Sequence, residues 1–390
     1  MTGTSDTTDT TDATGRTGPG PLSPALRAAL TDLRLPGLRP DGVPDVWLAD
    51  RRIPGDTARE VRLALATALY ERWHAGTGLA PDAPARLPRR DHAFEARLIA
   101  ATPHAHTPAE AVVHTTAPRG GGLLTVELGR VRVSLPPEAV RGPARVTHEA
   151  APSAVAIPAV ATSAAEASEP VASAEGAAPV AGARVVAELP AVRPALSPGF
   201  LLVDGVHGRP TDGADRELLR MYVHLRYPDA APRVWGALLA ELAARSVPYR
   251  AKVLSRPWAY PRRDAIVVYL DADLADVVFP LAAAVHRLPG IGADTSVFAQ
   301  RLLPGLAVAW EPRDTRPGWG GQSFGQHRAA AVAEGVVQYA ADRERTDLAR
   351  EIAASLRGAA ADPEEPARNR SSPGLLTATL LTSRAASFPS

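Results

Sequence analysis

The hydrophobic positions of residues 22–145 predict a mainly helical start followed by a small hairpin. Thr57 and Glu60 have the spacing of a capping box at a helix N-terminus. The hydrophobic residues that then recur at helical spacing are Val61, Leu65, Leu69 and Trp73. Gly76 ends this run. Further on, "GLLTVELGRVRVSLPP" alternates around Gly129 in the manner of two short antiparallel strands.

Strand and helix patterns alternate over residues 186–345. In "RMYVHLRYPD", polar side chains fall at every second position, so a strand would place them on one face. These side chains are Arg220, Tyr222, His224 and Arg226. Next, "PRVWGALLAELAARS" has helical spacing, and "DAIVVYL" is apolar enough for a central strand. We therefore predict an α+β fold, with an antiparallel or mixed sheet flanked by helices.

The composition changes sharply in the middle of the chain. Small residues and prolines without periodicity fill residues 147–183, and such a segment buries too little surface to offset chain entropy. The predicted segments are a disordered leader (1–21), a helical N-terminal region with a β-hairpin (22–145), an Ala/Pro-rich linker (146–185), an α+β domain (186–345) and a largely flexible tail (346–390).

Charge and composition exclude several classes of protein. A formal net charge of +1 argues against nucleic-acid binding, and no run of 18 apolar residues is present that could span a membrane. The first residues lack the basic and apolar regions of a secretory signal, so we expect a cytoplasmic protein. The absence of cysteine removes disulfides, thiolate nucleophiles and cysteine-ligated zinc.

One residue, Lys252, is the only lysine of the chain. Lysine and arginine together number 43, so the other 42 are arginines. A lysine amine can lose its proton and act as a base or nucleophile, whereas arginine stays protonated. Lys252 is therefore a candidate base, although a usage bias could also have left one lysine on a solvated strand edge. Tyr260, Arg262 and Asp264 follow within a dozen residues, and arginines can bind an anion through paired hydrogen bonds.

The segment "GQSFG" matches the G-x-S-x-G pattern of serine hydrolases. The serine of that pattern follows a strand, but here a loop-like stretch precedes it, and the only later histidine is His327. We instead predict that Ser323 caps a helix together with Gln326. His327 and Arg328 would then lie in the first turn, where free N–H groups and the helix dipole favour a bound anion.

Four blocks of sequence carry a family resemblance over roughly residues 195–345. The blocks are "RMYVHLRYP", "PYRAKVLSRPWAYPRRDAIVVYL", "LLPGLAVAWEP" and "QSFGQHR". In this order they resemble a family known both as a plant-pathogen type III effector domain and as the lyase of class V lanthipeptide and thioamitide biosynthesis. The resemblance implies a phosphoserine/phosphothreonine lyase that needs no cofactor. A kinase partner would phosphorylate a precursor peptide carrying a leader, and this protein would eliminate phosphate to give dehydroalanine or dehydrobutyrine.

The resemblance also implies roles for single residues. Lys252 corresponds to the base, and His327 is our choice for the acid. His224 is a competing acid, because a strand would face it the same way as Arg226, and Tyr260 is a further catalytic candidate. The candidates for phosphate binding are Arg220, Arg226, Arg262 and Arg328, and those for structural support are Asp264 and Ser323. No metal ligand is implied. The alternative is a non-catalytic phosphopeptide-binding or kinase-scaffolding module, an effector-like interaction protein, because a groove lined by arginines binds phosphate with or without a base.

Overall fold

The computed structural model describes residues 22–77, 90–119, 122–143, 180–210, 217–344 and 346–374. The predicted leader and most of the predicted linker lie outside these ranges. The helices are α1 (Pro24–Ala29), α2 (Ala58–Leu69), α3 (His92–Ala100), α4 (Ala231–Ala244), α5 (Val278–Val285), α6 (Phe324–Ala341) and α7 (Leu348–Gly358). The strands are β1 (Leu33–Leu38), β2 (Pro44–Leu48), β3 (Arg51–Arg52), β4 (His106–Arg119), β5 (Leu123–Leu128), β6 (Val131–Leu135), β7 (Val140–Pro143), β8 (Arg184–Pro190), β9 (Val192–Ser197), β10 (Phe200–Asp204), β11 (Leu218–Leu225), β12 (Arg250–Leu254), β13 (Arg262–Asp271), β14 (Gln300–Leu303) and β15 (Leu306–Trp310).

The chain divides into two compact units at positions other than the predicted ones. The first unit comprises 1–103, 192–205 and 209–390, and the second comprises 104–191 and 206–208. The helical start of the chain thus belongs to the same unit as the predicted α+β domain. Sequence periodicity identifies the apolar face of a helix but not the element that covers it, so the pattern alone could not assign α2 to this unit.

A seven-stranded antiparallel sheet forms the centre of the first unit, in the order β14-β15-β11-β13-β12-β10-β9. This confirms the predicted α+β fold with helices around a sheet, and β13 occupies the central position expected for "DAIVVYL". The register pairs Arg220 with Tyr269, Tyr269 with Arg250, and Lys252 with Leu202. Because paired residues point to the same face of a sheet, these five side chains share one face.

Helices α2 and α6 pack against each other in the first unit. The Thr57 hydroxyl accepts the amide N–H of Glu60, as the predicted cap requires, while the Glu60 carboxylate accepts the N–H of Asp56. Helix α2 continues as a π-helical turn over Tyr70–Ala75, and Gly76 ends it with a φ of 73°. The predicted helix is therefore confirmed, with a wider final turn that the spacing did not indicate.

Part of the predicted tail is ordered on α6. Helix α7 starts at the cap Asp347, and the Ser355 hydroxyl donates to the carbonyl of Ala331 at 2.7 Å. The two helices approach closely at Gly335, where a Cβ would lie 2.6 Å from Ile352 Cα. The boundary predicted at residue 346 therefore falls inside a packed structure, which extends over the described residues 346–374. A small residue such as Gly335 permits this close approach, but a glycine in the sequence does not by itself predict that another helix packs there.

The second unit contains a five-stranded antiparallel sheet in the order β6-β5-β4-β8-β7. Strands β5 and β6 form the predicted hairpin, in which Leu128 pairs with Val131 across a two-residue turn and Gly129 has a φ of 62°. The buried core of this unit consists of Ala111, Val113, Val126, Leu135, Val185 and Ala187. The hairpin is thus one part of a larger sheet, because β8, which begins at Arg184 near the end of the predicted linker, supplies a further strand.

Candidate active site

Lys252 lines a cavity of about 500 Å³ on the polar face of the seven-stranded sheet. A second cavity of about 360 Å³ adjoins it. The residues that line both are Ser197, Arg220, Lys252, Tyr269 and Glu311. The two cavities therefore adjoin at shared residues that include Lys252, and we refer to them together as the trough.

The Lys252 amine lies among aromatic rings. Its Nζ is 4.6 Å from the ring centroid of Phe200 and 5.9 Å from that of Tyr269. In the part of the chain that the structure describes, Lys252 forms no ion pair with a carboxylate. The amine is thus held by ring contacts and remains available to a molecule in the trough.

Arg220 lies beside Lys252 and is already paired. Both its Nε and an Nη donate to the carboxylate of Glu311, and its guanidinium lies 4.9 Å from the ring centroid of Tyr269. The side chain of Arg220 is buried except where it reaches the trough. Because a phosphate would bind the same two N–H groups, it would have to exchange with the Glu311 carboxylate.

Arg262 belongs to a buried network behind the trough. Its Nε and Nη2 donate to the two carboxylate oxygens of Asp264 at 2.7 and 2.8 Å, and Nη2 also donates to the Tyr70 hydroxyl at 2.8 Å. Burial acts to raise the pKa of Asp264, but Arg262 outweighs this effect and lowers it. The guanidinium is 5.6 Å from the ring centroid of Phe200, so Arg262 and Lys252 both contact that ring.

Tyr70 and His74 bring the π-helical turn to the site. Tyr70 lines the larger cavity, and burial and Asp264 raise its pKa to about 12. His74 Nδ1 is 2.8 Å from the Ser296 hydroxyl and Nε2 is 3.8 Å from Asp264. A Cβ on Gly325 would lie 2.2 Å from the His74 ring, so the glycine of "SFG" allows α6 to pack against this turn.

Ser323 caps α6 as predicted. Its hydroxyl accepts the N–H of Gln326, and the Gln326 side chain accepts the N–H of Ser323 at 3.0 Å. Both residues line the larger cavity. The capping box is therefore confirmed, and it forms one wall of the trough.

His327, the predicted acid, is fully buried and does not line the trough. Its Nδ1 accepts a hydrogen bond from Arg328 at 2.7 Å, so Nε2 carries the proton and donates to Asp314 at 3.0 Å. Burial and the neighbouring Arg328 lower the pKa of His327 to about 4. The structure thus gives His327 a different position, in which it orients Asp314 at the cavity wall.

Arg328, a predicted phosphate ligand, points away from the trough. Its donors are 2.7 Å from the carbonyl of Pro366, 3.1 Å from that of Arg368 and 3.0 Å from the side-chain oxygen of Asn369. Burial lowers its pKa to about 9. The first turn of α6 was expected to aim Arg328 at an anion, but the segment after α7 takes up these donors.

Three further predicted site residues lie outside the lining of both cavities. His224 Nδ1 is 3.0 Å from the carbonyl of Asp294, Arg226 is exposed, and the Tyr260 hydroxyl donates to the carbonyl of Leu254 at 2.7 Å. The structure therefore assembles Lys252, Arg220 and Ser323 around the trough, with Arg262 and Asp264 directly behind it.

The trough also contains residues that sequence reasoning did not select. They are Tyr70, Phe200, Tyr269, Glu311, Asp314 and Trp319. Asp314 accepts hydrogen bonds from Arg316 and His327, which outweigh the effect of burial and lower its pKa to about 2. Period two along β13 places Tyr269 on the same face as Val267, but the pairing that sets this face beside Lys252 joins two different strands and is not a local signal. Nothing in the local pattern around Tyr70 indicates that it lines a site nearly two hundred residues away in sequence.

Residues 191–368 match the HopA1 effector protein family. This match confirms the resemblance for that part of the chain. The effector protein of Pseudomonas syringae pv. tomato strain DC3000 is similar in structure, with 20% identity and a TM-score of 0.34. The effector protein of Pseudomonas syringae pv. syringae strain 61 has 16% identity and a TM-score of 0.33. Each similarity covers 44% of this chain and 62% of the other, so less than two thirds of either effector is spanned.

No curated protein matches the chain. Within the described ranges, no group of three or more His, Asp or Glu side chains is placed to hold a metal ion. The helices in those ranges are each too short or too polar to cross a membrane.

The two buried histidines predict a loss of stability in mild acid. Burial lowers the pKa of His74 to about 4, like that of His327, whereas an unfolded histidine titrates near 6.5. The unfolded chain therefore binds more protons between these values, and the free energy of unfolding should fall by about 2–4 kcal/mol from pH 7 to pH 5.

Urea unfolding at the two pH values measures this change in stability. His92→Gln, at a histidine whose side chain is 80% exposed, is the control variant. A free energy of unfolding that is equal at pH 7 and pH 5 would show that the two histidines are not held neutral in the folded state.

Proposed function

We propose that this protein is a phosphoserine/phosphothreonine lyase, which eliminates phosphate from a precursor peptide to leave dehydroalanine or dehydrobutyrine. The observation that carries the proposal is that the only lysine of the chain lines a trough beside Arg220 and Tyr269. The match of residues 191–368 to the effector family supports the same domain assignment.

In the proposed reaction Lys252 removes the Cα proton of the phosphorylated residue. The electron pair of the C–H bond forms the Cα=Cβ double bond, and the Cβ–O bond breaks with its electrons on the departing phosphate. The bridging oxygen then takes up a proton, so a phosphomonoester dianion gives the alkene and a hydrogenphosphate dianion. Only a neutral amine can take the first proton, and lysine can supply one where arginine cannot.

Arg220 is the proposed ligand of the phosphoryl group. A phosphoserine or phosphothreonine carries a charge of about −1.5 to −2 and three strong acceptor oxygens. The two donors of Arg220 match two of these oxygens, and the Glu311 carboxylate turns aside when the phosphate binds. Arg262 adds positive charge behind Phe200 without leaving Asp264.

Tyr269 is the proposed donor of the proton that the leaving oxygen takes up. Its ring lies next to both Lys252 and Arg220, and it lines both cavities. Its hydroxyl makes no hydrogen bond to any of the described residues. It replaces His327 in this role, because His327 lines neither cavity and its proton is donated to Asp314.

The reaction requires a serine/threonine kinase that phosphorylates the precursor peptide, and we propose that kinase and peptide as the partners in a cytoplasmic pathway. The test is to incubate the purified protein with a synthetic phosphothreonine peptide and to follow the loss of phosphoric acid by mass spectrometry. Formation of dehydrobutyrine is the expected result. Binding of the peptide without elimination would instead identify a non-catalytic phosphopeptide-binding module.

A further inference from the structure

We propose that the smaller cavity is a specificity subsite for an aliphatic side chain of the substrate peptide, two residues from the phosphorylated one. This inference rests on the proposed function, because it takes the peptide to be centred on Lys252. It adds a preference for an aliphatic residue in the substrate peptide. Neither the elimination chemistry nor the family match predicts this preference.

The wall of the smaller cavity beyond the shared residues is largely apolar. It consists of Leu196, Leu202, Pro210, Leu218 and Arg250. The charge of Arg250 is already used, since its Nε and Nη2 donate to the Asp204 carboxylate at 2.7 and 3.2 Å. Away from the residues shared with the larger cavity, this wall therefore offers apolar contact, and a charged side chain placed against the leucines would lose hydration that they cannot replace.

The strand register fixes the distance from the reacting centre to this wall. Leu202 is directly opposite Lys252, and side chains in such pairs lie about 5 Å apart. Leu218 precedes Arg220 by two residues on the same face of β11. An extended peptide advances about 7 Å over two residues and returns to the same face. A phosphorylated residue held between Lys252 and Arg220 thus places the side chain two positions away in the smaller cavity, where Leu202 borders it from β10 and Leu218 borders it from β11.

Leu196 is the accessible part of this wall. It lies on the edge strand β9 and is 60% exposed, so its replacement should not disturb the core. A single exposed leucine is common on protein surfaces. Here the leucine lines the same cavity as Lys252. We therefore propose that the exposed face of Leu196 contacts the substrate side chain.

Binding of matched phosphopeptides tests the subsite without turnover. Peptides with Leu, Gly or Asp at positions −2 and +2 from phosphothreonine are titrated into the Lys252→Arg protein, with fluorescence anisotropy as the readout. We expect the Leu peptide at one of the two positions to bind about tenfold more tightly than the Asp peptide. Leu196→Ser should reduce this preference severalfold and leave the affinity for the Gly peptide unchanged.

The control variant is Leu38→Ser, which removes a leucine that is 51% exposed on β1 and should change no affinity. Equal binding of the Leu and Asp peptides at both positions would overturn the subsite while leaving the proposed function standing. The same holds if Leu196→Ser weakens the Leu and Gly peptides equally. If none of the phosphopeptides binds, the proposed function fails and the subsite fails with it.

Discussion

Replacing Lys252 by arginine should leave a folded protein that binds phosphopeptide and no longer eliminates phosphate. Arginine keeps the positive charge and can still lie over the ring of Phe200, as the lysine does at 4.6 Å. It cannot lose its proton, so the Cα proton has no acceptor. The loss of a positioned base should lower kcat by about 10²–10⁴-fold. Mass spectrometry of the phosphopeptide measures the rate, and thermal unfolding verifies the fold.

A surface pair at the C-terminal end of α4 supplies a control for this exchange. Arg245→Lys makes the reverse substitution at an exposed residue that contacts Glu241, and it should retain the wild-type rate. Turnover by Lys252→Arg at the wild-type rate would remove Lys252 from the reaction. Weaker phosphopeptide binding together with unchanged kcat would give the lysine a binding role only.

Replacing Tyr269 by phenylalanine should slow elimination by about 10²–10³-fold with a change in KM of only a few fold. The ring remains between Lys252 and Arg220, so both cation–ring contacts persist. Only the hydroxyl proton in the trough is lost. A step in which the leaving oxygen takes up that proton is slowed, whereas substrate binding through Arg220 is preserved. Steady-state kinetics with a phosphothreonine peptide separates the two constants.

Two further tyrosines make this test discriminating. Tyr339→Phe on α6 removes a hydroxyl outside both cavities and should leave the kinetics unchanged. Tyr260 was the tyrosine chosen from the sequence, and its hydroxyl is bound to the Leu254 carbonyl. If Tyr260→Phe were inactive while Tyr269→Phe retained full activity, the proton donor would lie in the turn before β13 and the present assignment would be wrong.

The local patterns predicted much of the fold around the site. The helical run that ends at Gly76, the hairpin at Gly129, the capping box at Ser323 and the central strand β13 depend on neighbours within a few residues, and all are confirmed. The face of β12 on which Lys252 lies also follows from a local property, the alternation of side chains along the strand.

Contacts between distant residues account for what the sequence could not predict. Arg220 pairs with Glu311, 91 residues away, and Arg262 with Tyr70, 192 residues away. His327 and Arg328 occupy the predicted helical turn. The direction of the Arg328 side chain, however, is set by its hydrogen bonds to the segment after α7, which the composition assigned to a flexible tail. Periodicity gives the face of a helix on which a side chain lies and does not give the neighbour that the face meets.

The pairing of Arg220 with Glu311 gives the proposed phosphate site a counterion of its own. Free inorganic phosphate can bind there only by displacing a carboxylate that is tethered at high effective concentration. A phosphopeptide makes the same exchange but gains the remaining contacts along the trough. Under the proposed function, once the Cβ–O bond to the phosphate is broken, the liberated anion competes with Glu311 alone, so the site resists product inhibition and empties for the next turnover.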